Sequence, residues 1–159
     1  MTEPGHRRLL RRAIEVAADA SRDGRCGPFG AVVARGDEIL GEGHNRVVAD
    51  RDPTAHAEVM AIREACKREG THVLEGCVIY CSCEPCPMCL SAIYWARIRH
   101  VVFAATRGDA ERAGFDDGVI HAEVGLDWPE RSVTSVQEMR DAGRAVLRRW
   151  AENPDRRVY

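Results

Sequence analysis

Five of the seven cysteines in this chain fall between positions 77 and 89: Cys77, Cys81, Cys83, Cys86 and Cys89. The chain opens on an arginine-rich stretch without a hydrophobic segment, so no secretory leader is expected. An odd cysteine total in that setting argues against a disulfide framework and for a reducing compartment, the cytoplasm. There, clustered thiols more often hold metal than form redox staples. The fold must therefore bring this segment together with whatever completes a metal site.

At 159 residues and 17.7 kDa the chain fits one domain. Hydrophobic residues make up 45% and charged residues 30%, an ordinary globular composition. No apolar run approaches the roughly 20 residues needed to cross a bilayer, so no membrane partner is expected. The net charge of −2 lowers the expectation of a nucleic-acid partner, which usually calls for a basic face.

Residues 7–23 carry the periodicity of an amphipathic helix, with Leu10, Ile14, Ala17 and Ala18 on one side. The run 29–41 reads as a β-hairpin turning at Gly36-Asp37. Thr54 is a plausible N-cap for a helix ending near Gly70, residues 77–81 form a short buried strand, and Pro85 and Pro87 open the next helix. A strand at 100–105 follows, then a stretch with loop glycines at 114 and 118, then a helix over 137–152 stopped by Pro154. Strands alternating with helices predict an α/β sheet with helices on both faces, in a domain over 1–152 followed by a tail over 153–159.

Two motifs carry chemistry: His56-Ala57-Glu58 and Pro85-Cys86-Pro87-Met88-Cys89. Zinc(II) takes four tetrahedral ligands, and a catalytic site supplies three of them. Cys86 and Cys89 sit three apart at a helix start, where free N–H groups and the positive helix end favour thiolates. His56 would be the third ligand. Glu58 cannot share a helix face with His56, unless the metal lies off the helix end within reach of the first turn. From there Glu58 could move protons for a zinc-activated water. The plainer reading is a non-catalytic zinc module, with Cys81, Cys83, Cys86 and Cys89 as four thiolates and no task for His56 or Glu58.

H-x-E followed by P-C-x-x-C is a known signature of zinc nucleobase deaminases. The runs 54–63 (TAHAEVMAIR) and 83–89 (CEPCPMC) resemble the cytidine deaminase superfamily. With Gly27-Pro28-Phe29-Gly30-Ala31-Val32, Asn45, Tyr94-Trp95-Ala96-Arg97, Ala113-Gly114-Phe115-Asp116-Asp117 and Tyr159, nearly the whole chain is similar to the bacterial guanine deaminases within it. The resemblance implies a three-layer α/β/α fold around a central mixed sheet, and a zinc-dependent hydrolase that converts guanine, a small-molecule nucleobase, to xanthine and ammonia. It also implies that Glu58 is catalytic and that Asn45 bonds the ring carbonyl. Phe29 and Trp95 would line the base pocket, with Ala57 beside them, and Asp117 would accept from ring N–H groups. It further implies a homodimer that exchanges C-terminal segments, so that Tyr159 closes the partner's pocket. Each of these residues has a plainer role: Phe29 in the core, Trp95 in helix packing, Asn45 in a turn, Asp116 and Asp117 in a turn and helix cap. Related substrates stay open (cytosine, guanosine, an amino-triazine or a tRNA adenosine), although the slightly acidic chain disfavours RNA.

Overall fold

In the computed structural model, which describes residues 3–158, four strands form one mixed sheet in the order β2-β1-β3-β4. Strand β1 (Gly30–Arg35) pairs antiparallel with both β2 (Glu38–His44) and β3 (Val78–Cys83), and β3 runs parallel to β4 (His100–Ala105). The β1–β2 hairpin turns through Gly36 at φ 57°, a left-handed conformation that glycine adopts without steric cost. A parallel pair needs a crossover connection. The one between β3 and β4 is helix α4 (Pro87–Trp95), which follows the short helix α2 (Val47–Asp50) and the longer α3 (Ala57–Glu69) in chain order.

Helices cover both faces, as the alternating pattern predicts. On one face α1 (Glu3–Ser21) buries Leu9 and Ala13 against Val32, Ala34, Val78 and Tyr80. On the other, α3 and α4 close a larger core that includes Val33, Ala61, Ala65, Ile79 and Ile93. Side chains alternate across a strand, so the neighbours Val32 and Val33 serve opposite cores. Helix α3 lies directly on β2 because Gly41 and Gly43 have no side chain. A Cβ there would strike the Ala61 carbonyl from Gly41, or the Ala57 carbonyl from Gly43. This close approach fixes the first turn of α3, and with it the H-x-E motif.

Local structure departs from the sequence expectation at several ends. Helix α1 begins at Glu3 rather than residue 7. Thr54 does not cap α3: its hydroxyl donates to Asp52 Oδ1 at 2.7 Å, and the N-cap position falls to His56. Gly70 does end α3, in a left-handed conformation (φ 66°). The stretch expected to be loop around Gly114 forms two short helices, α5 (Arg107–Arg112) and α6 (Gly118–Glu123). Thr106 and Asp109 start α5 with reciprocal side-chain-to-backbone bonds, a capping box.

The chain divides into two compact units, Met1–Val124 and Gly125–Tyr159, so the expected tail over 153–159 falls within the second. That unit holds a single 3-10 turn at Trp128–Glu130 and helix α7 (Arg140–Glu152). Helix α7 starts later than the expected 137 because Met139 takes a left-handed backbone (φ 51°). Val146, Leu147 and Trp150 on α7 are all exposed. No helix among the described residues is long and apolar enough to cross a membrane.

Candidate active site

Helices α3 and α4 start at the same place in the molecule. His56 is the N-cap of α3 and Cys86 the N-cap of α4, and both hold extended backbone conformations just ahead of the first turn. Pro87 at the first position of α4 has the fixed φ a helix start favours and no N–H to leave unsatisfied. Cys89 lies one turn further on and is fully buried. His56 Nδ1 stands 3.6 Å from Cys86 Sγ and 3.5 Å from Cys89 Sγ.

Those separations test the fit to a metal. Zinc bonds of about 2.0 Å to nitrogen and 2.3 Å to sulfur, at a tetrahedral angle, place the two ligand atoms about 3.5 Å apart. The two N···S distances match that chord, and the donor set of one imidazole and two thiols suits zinc. Cys81 and Cys83 stand outside this cluster among the described residues. Cys81 is buried in β3 with its thiol pushed well up by burial, and Cys83 donates to the Thr106 carbonyl at 3.5 Å. The four-thiolate arrangement is therefore not formed.

The two thiols are pushed in opposite directions. Cys86 is pulled down to about 4, chiefly by hydrogen bonding with Cys89 and further by His56. His56 is raised in turn by its bond to Cys86. Cys89 is pushed up, first by its bond to the Cys86 thiolate and then by burial. Two thiols sharing one proton ionise together only when a cation sits between them, which is the condition a bound dication meets.

Among the described residues two polar side chains are buried, Asn45 and Glu58, each 8% exposed, and both line one cavity of about 420 Å³ that also reaches His56 and Cys86. Glu58, in the first turn of α3, keeps its carboxyl above the usual carboxylate range, mainly because burial penalises the charge. The objection that His56 and Glu58 cannot share a helix face falls away, because the ligand cluster lies off the end of α3.

The far wall of the cavity is apolar and then acidic. Phe29 meets Phe115 edge-on, with ring centroids 4.8 Å apart. Asn45 Oδ1 accepts from the Val47 N–H at 3.3 Å, the turn role its sequence context suggests, and its amide nitrogen keeps donor capacity for a ligand carbonyl. Asp117 lines the cavity, and its Oδ1 is buried with no hydrogen-bond partner. Oδ2 lies 3.1 Å from His121 Nε2, a partner that the sequence does not suggest.

Other expected residues are placed differently. Trp95 does not line the cavity: it stands at the end of α4, 59% exposed, with the Arg97 guanidinium 6.0 Å from its ring centroid. Ala57 is buried in the first turn of α3 and does not line the cavity either. Tyr159 lies outside the described residues. The cavity adds walls the sequence reading missed, among them Phe115, Val47 and Val48. Of these, Phe115 stands in the quoted A-G-F-D-D run, and its aromatic side chain beside two carboxylates was the available signal.

The chain belongs to the family of the cytidine and deoxycytidylate deaminase zinc-binding region, whose model matches residues 4–105. Within the family it is 44% identical over 154 residues to guanine deaminase of Bacillus subtilis, covering 97% of this chain and 99% of that protein. The crystal structure of that enzyme superposes with a TM-score of 0.93 at 42% identity, covering 100% of this chain and 99% of the other. The guanine deaminase from Nitrosomonas europaea matches with a TM-score of 0.64 at 32% identity, over 89% of this chain and 81% of that one. A tRNA-specific adenosine deaminase of Aquifex aeolicus is also 44% identical, over 101 residues, or 64% of this chain and 66% of that protein.

Proposed function

We propose that this chain hydrolyses guanine to xanthine and ammonia at a zinc centre held by His56 Nδ1, Cys86 Sγ and Cys89 Sγ. The observation that carries the reading is the buried, unpartnered Oδ1 of Asp117 in the same cavity as Glu58, His56 and Cys86, with Cys89 completing the ligand cluster. A zinc ion held by these three groups would supply a water acidic enough to attack at neutral pH.

The chain's own groups then divide the work. Phe29 and Phe115, in contact with each other, form one apolar wall against the base and keep bulk water from it. Asn45 donates its amide N–H to the ring carbonyl, and Asp117 Oδ1 accepts from a ring N–H. These contacts hold the amino-bearing carbon over the ligand cluster. Glu58, raised by burial, takes a proton from the attacking water and returns it to the amino nitrogen, which leaves as ammonia. The overall balance is one guanine and one water to one xanthine and one ammonia. A base without the ring N–H donors leaves the Asp117 carboxylate desolvated and unpaired, which is how such a site rejects analogues.

The same reading makes the enzyme a cytoplasmic homodimer in which residues 153–159 of one copy reach the other's cavity, with Tyr159 covering the base. The apolar, exposed side of α7 supports it, since Val146, Leu147 and Trp150 need a partner surface. Deleting residues 153–159 should leave zinc content intact and lower activity. Mixing that protein with full-length Glu58→Gln chains should partly restore it through hybrid dimers.

The primary test is ammonia release by the zinc-loaded protein from guanine, guanosine, adenine, cytosine, an amino-triazine and a tRNA. Guanine should be the best substrate. Preference for cytosine, or for adenosine in tRNA, would overturn the assignment while leaving the zinc chemistry in place.

A further inference from the structure

Asp117 occupies the N-cap of α6, where an aspartate ordinarily turns its carboxylate onto the free N–H groups of the first turn. It makes no such bond here. The local turn is held by its neighbour instead: Asp116 Oδ1 accepts from the Gly118 N–H at 2.8 Å. Asp117 is thus released from capping, and its carboxylate lines the cavity. One oxygen is buried without a partner, and the other lies 3.1 Å from Nε2 of His121, four residues along the same helix.

We propose that His121 is a positioning residue for base recognition. Its Nε2–H donates to Asp117 Oδ2 and holds the carboxylate with Oδ1 presented to the cavity. The proposal rests on the reading of Asp117 as the acceptor for a purine ring N–H. Either the neutral Nε2–H tautomer or the imidazolium supplies the donor, so the role needs no particular protonation state.

The competing pull on the carboxylate is close at hand. The first N–H groups of α6 lack intrahelical partners, and an aspartate at the N-cap is the side chain best placed to satisfy them. Among the described residues His121 is the partner seen on the second oxygen, and its removal frees the carboxylate to rotate towards those groups. Helices α5 and α6 contain no buried residue, so core packing does not fix the side chain either. His121 is partly covered itself, its side chain 32% exposed against 20% for Asp117. The bond therefore sits where water competes incompletely.

The test compares His121→Ala, His121→Gln and Asp117→Asn in the zinc-loaded enzyme, with zinc content and circular dichroism confirming folded, loaded protein. Glutamine places its Nε2 donor the same number of bonds from Cβ as the imidazole Nε2. Losing a hydrogen bond to a charged group is worth about tenfold at the low end of its range. His121→Ala should therefore raise the KM for guanine about tenfold with kcat within about threefold of the parent, and His121→Gln should recover most of that loss. In the Asp117→Asn background, His121→Ala should add little. An unchanged KM in His121→Ala beside a raised KM in Asp117→Asn would overturn the positioning role and leave the recognition role standing. Equal defects in His121→Ala and His121→Gln would overturn it too, since packing rather than donation would then be at work. An unchanged KM in Asp117→Asn would overturn both.

Discussion

The two ends of the cavity are built by different means. The metal end hangs on the sheet: His56, Glu58, Cys86 and Cys89 sit at the N-termini of α3 and α4, whose first turns bury Ala57, Glu58, Pro87 and Cys89. The recognition end hangs on α5 and α6, six residues each with none buried. The family match, over residues 4–105, takes in the first and stops before Asp117 and His121. On the proposed function, the chemistry that every substrate needs would be placed on the buried core, while the Asp117 contact proposed to select the substrate would ride on short surface helices. Changes at the first end should therefore cost stability, metal and turnover together. Changes at the second should cost selectivity alone.

The largest effect is expected from Cys86→Ala or His56→Ala. Ligand binding energy is also folding energy, so both variants should lose zinc, activity and several degrees of thermal stability. Metal analysis with a melting curve checks this, and full zinc occupancy in either variant would remove the residue from the ligand set. Next is Glu58→Gln, which should keep fold and zinc yet lose about 10²- to 10⁴-fold in kcat, the usual worth of a positioned proton shuttle. Turnover within a few-fold of the parent would show that another group moves the protons.

Asp117→Asn sharpens the comparison from the other end. It replaces an acceptor-only group with one that also presents donors, at a cost of about 1–3 kcal/mol for an unsatisfied buried polar group. A rise of about 10- to 100-fold in the guanine KM, with zinc content and melting temperature unchanged, is expected. Equal losses in zinc and stability would mean that the two ends are one structural unit. The smallest effect concerns the capping box of α5. Hydrogen bonds from Thr106 hold the Asp109 carboxyl below its ordinary value. Its contribution is therefore present above the unfolded-state value, about 4, and is lost as pH falls through the depressed one. Hydrogen exchange should show α5 amides losing protection over that acid range, or in Asp109→Asn at neutral pH, while α3 amides change much less.

The same contrast explains what the sequence made legible. The metal end could be read because H-x-E and P-C-x-x-C state ligand chemistry in residue types and spacing. Gly70, Pro87 and the strand at His100–Ala105 announce themselves through local propensity as well. The cap of α3 could not be read, because Asp52 claims the Thr54 hydroxyl and the packing of α3 over Gly43 moves the helix start to Ala57. At the recognition end, short helices leave too few turns for a periodic signal, and the stretch 109–125 shows only its loop glycines, Gly114 and Gly118. The bond from His121 to Asp117 was likewise invisible, since a histidine four residues from an aspartate has meaning only once both lie on one helix. Trp95 was the opposite case: an aromatic residue near a ligand helix looked like a pocket wall, but the turns of α4 carry it to the surface.

The most direct measurement is a crystal structure of the zinc-loaded Glu58→Gln protein with guanine trapped in the cavity. The base should lie against the Phe29–Phe115 pair, a ring N–H should donate to Asp117 Oδ1 within about 3 Å, and the amino-bearing carbon should face the zinc beside residue 58. Guanine bound with its amino group turned away from the ligand cluster, or an Asp117 carboxylate folded back onto α6, would contradict the division of the site into a catalytic and a selecting end.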